Sequence, residues 1–128
     1  MTQDEFNREY YRRYPRGLCR QEENGPEGWV ERAEFEVRNS PVFAPVLDAL
    51  RRLGHDPQRI VFLDVGPGED GAVSIEFSPR PGEQAVLEWD HKHNCIQFWS
   101  DHRPLDEPYK SIVERRRAEL TGDNSVGM

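Results

Sequence analysis

Two cysteines, Cys19 and Cys95, are all that the 128-residue chain contains. That number excludes a disulfide framework and fits a reducing, cytoplasmic setting. Nowhere do apolar residues run for the ~20 positions that a membrane span needs. The opening residues, MTQDEFNREY, lack the apolar core of a signal peptide. Lysine is also scarce: 15 of the 17 basic residues are arginine. Leu, Ile, Val and Phe together reach only about 22% of the chain, just above the level at which a charged chain stays disordered. A modest core in one domain over residues 1–122 is therefore predicted, with 123–128 as a frayed tail.

What the chain has in excess is negative charge, −7 overall. Its distribution is uneven. Residues 61–110 carry −6 and residues 21–50 carry −5, whereas residues 1–20 carry +2. Such a field repels nucleic-acid phosphate and attracts a basic partner. The run Arg115–Arg117 is short and flanked by glutamates, so it does not read as a nucleic-acid patch.

Hydrophobic period and punctuation divide the chain into eight elements. Thr2 and Glu5 form a capping-box pattern. Phe6, Tyr10 and Tyr14 then recur every four residues as one helical face, which Pro15 ends. After a polar connector, Cys19 to Gly28, the segment WVERAEFEV reads with period two as a half-buried strand, Trp29–Val37. Ser40 and Pro41 open a helix whose apolar face is Val42, Val46, Leu50 and Leu53, with Gly54 beyond its end. Pro45 implies a tighter first turn, with the regular helix beginning near it. RIVFLDV is apolar throughout, the mark of a strand covered on both faces. AVSIEF, AVLEWD and CIQFWS follow as three more strands, and a helix runs from about Asp106 to Leu120. The predicted class is α+β, in the order α-β-α-β-β-β-β-α. About five strands form a mainly antiparallel meander carrying about three helices, and the strand at 29–37 adds a parallel edge.

LEWDHKHNCIQFWSDH, residues 87–102, concentrates three of the four histidines, one cysteine and two of the three tryptophans. Closing its hairpin at Lys92–His93 or over His91–Asn94 pairs Asp90 with Cys95, Trp89 with Ile96, Glu88 with Gln97, Leu87 with Phe98 and Val86 with Trp99. Leu87, Trp89, Ile96 and Phe98 then face the core, and a one-residue slip would bury Glu88 and Asp90. His91 and His93 fall at the hairpin tip. With Cys95 they form an alternative metal or catalytic set, for a metal-dependent enzyme or sensor, only if the turn folds back on itself. Asp101 and His102 lie some 20 Å away at ~3.3 Å per residue. Cys95 as a nucleophile would sit among Glu88, Asp90 and Gln97, the wrong sign for a thiolate. The Gly-x-Gly of DVGPGEDG is followed by no helix to hold a phosphate.

The outer face of the sheet remains. Trp99 ringed by Glu88, Asp90 and Gln97, and extended by Glu76, Glu34 and Glu36, has the form of a hot spot for a basic protein partner. The leading expectation is a small bacterial, non-enzymatic binding protein without cofactor that neutralises a toxin or effector. Immunity proteins, antitoxins and inhibitors share that composition, an analogy of composition alone. A third reading is a small-molecule or structural module with Phe6, Tyr10, Tyr14, Trp29 and Phe35 around a pocket.

Overall fold

The computed structural model describes residues 1–14 and 21–121, without the side chains of 21–24, 101, 102 and 121. Cys19, Pro15 and the tail at 123–128 lie outside the described residues. Among the described residues, four α-helices and four strands follow in the order α1 (Gln3–Arg13), α2 (Gln21–Asn39), α3 (Ala44–Arg52), β1 (Val61–Pro67), β2 (Val73–Ser78), β3 (Glu83–Asp90), β4 (Cys95–Pro104) and α4 (Tyr109–Thr121). The strands form one antiparallel meander, β1-β2-β3-β4. The α+β class and the meander are as predicted. Among the described residues, no helix is long and apolar enough to cross a membrane.

Helix α1 begins with the complete capping box: Glu5 N–H donates to the Thr2 hydroxyl, and Thr2 N–H donates back to the Glu5 carboxylate at 3.0 Å. Its aromatic face packs inward. Phe6 stacks on Phe35 of α2 with ring centroids 5.3 Å apart, and Tyr14 joins the same buried cluster. Helix α3 begins and ends as its sequence implied. Pro41–Phe43 is a 3₁₀ turn and the α-helix starts at Ala44, directly before Pro45. At its far end Gly54 adopts φ +91°. There His55 N–H donates to Leu50 O and Gly54 N–H to Arg51 O, which closes a Schellman motif. Val42 and Leu53, expected on the buried face, are exposed instead, because the 3₁₀ turn and the cap rotate both ends away from the sheet.

The segment 29–37 is helical, which overturns the predicted strand. The chain breaks at Gly25, φ 67°, and Pro26 stands at the start of the regular part of α2, where a missing N–H costs nothing. From there Val30, Ala33 and Val37 share one buried stripe. Arg32 pairs with Glu36 at 2.9 Å and Glu34 with Arg38 at 3.4 Å, both four residues apart. Period two and period 3.6 both fit the apolar residues here. The Glu-, Arg- and Ala-rich spacing favours the helix.

This helix lies along β1, an outer strand of the meander. It supplies side-chain donors in place of a strand's amides. Arg38 donates to Ile60 O at 2.6 Å and to Pro57 O at 2.9 Å, and Arg32 donates to Val65 O at 3.2 Å. Both faces of β1 are covered, as its unbroken apolar run predicted. Ile60, Phe62 and Val65 join the main core under α2 and α3 with Ile75, Phe77, Leu87 and Trp89. Val61 and Leu63 pack on the opposite face against Val30, Leu105, Ile112 and Val113. Glu34, 5% exposed, joins the layers by accepting from Arg116 of α4 at 2.6 Å as well as from Arg38. Arg117 adds a second clamp, donating to Ser78 O and to its hydroxyl.

Stripping the Glu34 carboxylate leaves two guanidiniums without their shared acceptor. Glu34→Ala is expected to lower stability by about 2 to 3 kcal/mol, below the full cost of breaking a buried pair because both arginines reach solvent. Urea unfolding should show it, with Glu69→Ala as a surface control within ~0.5 kcal/mol.

Candidate functional site

The β3–β4 hairpin closes over the four residues His91–Asn94, with Asn94 at φ 54°. Asp90 organises the turn. Its carboxylate accepts from Lys92 N–H at 2.9 Å and His93 N–H at 3.2 Å, and lies 2.6 Å from His93 Nδ1. These hydrogen bonds, that of the His93 ring first, hold the Asp90 carboxyl below its ordinary range. His91 points elsewhere, edge-on to Phe43 with ring centroids 6.4 Å apart, and Cys95 is exposed. Among the described residues no three His, Cys, Asp or Glu side chains are placed to share an ion. The structure therefore does not bring His91, His93 and Cys95 together as a metal set. The pairs Asp90–Cys95 and Trp89–Ile96 stand as predicted.

Beyond them the register shifts. A bulge places Glu88 opposite Phe98, Leu87 opposite Trp99 and Val86 opposite Ser100. One extra residue reverses the facing of everything after it. Trp99 turns inward, 5.7 Å from the Phe77 ring and stacked on His55 at 5.9 Å. Phe98 turns outward and is 46% exposed. The exchange buries the larger indole, which has more apolar area to remove from water. It also removes Trp99 from the predicted hot spot.

The other predicted partner-binding residues divide by position. Glu34 is buried between two arginines, and Glu36 is half-buried against Arg32, so neither belongs to a sheet face. Glu88 is on the outer face but is committed locally. It accepts from Glu69 N–H at 3.2 Å and from the Gln97 amide at 3.3 Å, which folds the β1–β2 loop down onto the sheet. Gln97, the bulged residue, also donates to Glu69 O. Glu76 stands on the outer face beside Asp64 of β1 and Val86 of β3.

Asp64 and Glu76 meet in a cleft that sequence reasoning did not anticipate. Trp29 of α2 and Tyr109 of α4 flank it, and Leu63 and Gln84 complete a cavity of about 210 Å³. Burial raises the Asp64 carboxyl above its ordinary value, against the pull of Arg32. Burial raises Glu76 as well, and the charge of Asp64 raises it further, against the pull of Arg103. Glu36 is raised too, chiefly by burial, with Asp64 adding to it. The cleft was hidden because Trp29 was read into a strand, while Tyr109 and the carboxylates belong to elements 30 or more residues away.

A second, more open groove of about 660 Å³ runs between α1 and the β1–β2 loop. Phe6 and Tyr10 line it, with Tyr11, Phe43 and the Arg32–Glu36 pair. Of the aromatic set expected around a pocket, Tyr14 and Phe35 pack into the α1–α2 cluster instead, and Trp29 belongs to the smaller cleft. No known protein family matches the chain, and neither a curated protein nor a solved structure matches it.

Trp99→Ala is expected to cost roughly 2 kcal/mol, less than a fully buried tryptophan because Trp99 is half-buried, while Phe98→Ala stays within ~0.5 kcal/mol. Thermal unfolding of the two variants side by side distinguishes the inward from the outward ring. The cleft carboxyls also set a pH response. A carboxyl whose pKa is raised by folding weakens the fold while ionised, and this cost is relieved as pH falls from neutrality toward the ordinary glutamate value of 4.5. Glu76→Gln should therefore melt slightly higher than the parent at pH 7, by a few degrees at most. The advantage should shrink by pH 4.5, and a gap that widens on acidification would contradict the assignment.

Proposed function

We propose that this chain is a small acidic binding protein that recognises a basic protein partner through the outer face of its sheet, in the manner of an inhibitor or immunity protein. The observation that carries the reading is Phe98: a large apolar ring, nearly half exposed, on a face whose neighbouring strands present Glu76 and Glu88. Apolar contact at the centre with acidic groups around it is how a rigid surface gains both affinity and choice of partner. The net charge of −7 adds long-range attraction for a basic protein.

Glu88 and Asp90 hold the loop and the turn, so changing them would disturb structure as well as contact. Phe98→Ala and Ser100→Arg alter the face without touching the hydrogen bonds that hold the loop and the turn. Each should weaken a partner captured by the parent protein by at least tenfold, with the melting temperature unchanged. Parent and variants compared by calorimetry against that purified partner provide the check; equal affinity for all three would place the contact elsewhere.

A second reading, small-molecule binding, is favoured by the groove beside α1. Its aromatic walls, with the buried Arg32 paired to a half-buried Glu36, have the composition of a site for a flat apolar ligand.

A further inference from the structure

The lining of the cleft beside Glu76 holds two carboxylates, Asp64 and Glu76, and no Lys or Arg. Asp64 and Glu76 face it from adjacent strands, while Arg32 and Glu36 line the neighbouring groove, from which Arg32 reaches Asp64. Arg32 is committed to Glu36 at 2.9 Å and to Val65 O at 3.2 Å, which leaves Asp64 at the longer distance of 3.5 Å. Glu76 accepts a hydrogen bond from the neutral Gln84 amide at 3.2 Å, and the exposed Arg103 acts on it by charge alone, with no ion pair between the two among the described residues. Half-buried carboxylates that repel each other are stabilised by a cation between them.

The walls narrow the kind of cation. Trp29 and Tyr109 flank the carboxylates, and aromatic faces attract organic cations strongly where water is excluded. The Trp29 indole N–H is sealed from solvent and meets no acceptor in the described structure. Among the described residues no third His, Cys, Asp or Glu joins Asp64 and Glu76 to form a metal-binding group. The volume of about 210 Å³ equals about seven waters at ~30 Å³ each. That is also the scale of the about seven heavy atoms in an arginine side chain.

We propose that this cavity is a recognition pocket for a monovalent organic cation, an alkylguanidinium or alkylammonium group. Asp64 and Glu76 supply the counter-charge, Trp29 and Tyr109 the aromatic walls, and the Gln84 amide holds Glu76 in place. Glu76 and Phe98 belong to the same face of the sheet, so a basic partner docking there would present an arginine or lysine side chain to the pocket. In that form the inference rests on the reading of a protein-binding face, and a free probe tests it apart from any protein.

The experiment is a ¹H–¹⁵N titration of the full chain with butylguanidine and butylamine, following the Trp29 indole signal, assigned by its loss in Trp29→Phe. A saturable shift is expected with Kd on the order of 1 mM, as for a ligand of this size. Glu76→Gln should weaken it at least tenfold, while Glu69→Gln leaves it unchanged. Butylurea, the neutral isostere of butylguanidine, should give no shift. Equal responses to butylurea, or a Kd unmoved by Glu76→Gln, would overturn the pocket, and neither result touches the assignment of Phe98. N-acetylarginine amide separates the two sources of the cation. Binding like that of butylguanidine supports a side chain presented by a protein; its exclusion beside a butylguanidine shift supports a free small cation.

Discussion

The fold depends on how the open edge of β1 is closed. An edge strand exposes unpaired main-chain groups, and leaving them buried without partners costs free energy. Here a helix takes the position that another strand would occupy, and its arginines reach the carbonyls of Ile60 and Val65. Charge then has to be balanced in a dry layer, and the acidic residues of the same helix do it. Glu36 faces Arg32, while Glu34 faces Arg38 and, across the layer, Arg116. The acidic composition of α2 thus serves the interior as much as the surface.

Both candidate surfaces follow from that arrangement. With α2 against β1 and α4 over Val61 and Leu63, only part of the outer sheet face is covered. The two helices bring Trp29 and Tyr109 to the boundary between the covered and open regions, where Asp64 and Glu76 emerge from adjacent strands. The bulge at Gln97 completes the open region by turning Phe98 outward. The acidic face and its cleft are therefore by-products of covering one end of a four-stranded sheet, which makes their chemistry a property of position rather than of any local motif.

Local signals were legible wherever one period fitted alone. The Thr2–Glu5 box, the turn at Pro41–Phe43, the glycine cap after α3 and the four-stranded meander all rest on contacts between near neighbours in the chain. Two places were ambiguous for a stated reason. WVERAEFEV satisfies both a strand and a helix period, and only the i,i+4 charge pairs separate them. CIQFWS has adjacent aromatics, Phe98 and Trp99, so its alternation cannot say which one faces the core.

The linear order of residues was sufficient for the class of the fold, the ends of α1 and α3, the both-faces burial of β1 and the negative field, because each depends on composition or on spacing within a few residues. Three-dimensional packing alone decided that α2 is a helix sealing an edge, that Trp99 points inward through a bulge, and that Trp29, Asp64, Glu76 and Tyr109 share one cleft. Those outcomes are contests between burial of different side chains against partners 20 to 80 residues away, and no local pattern records who the partners are.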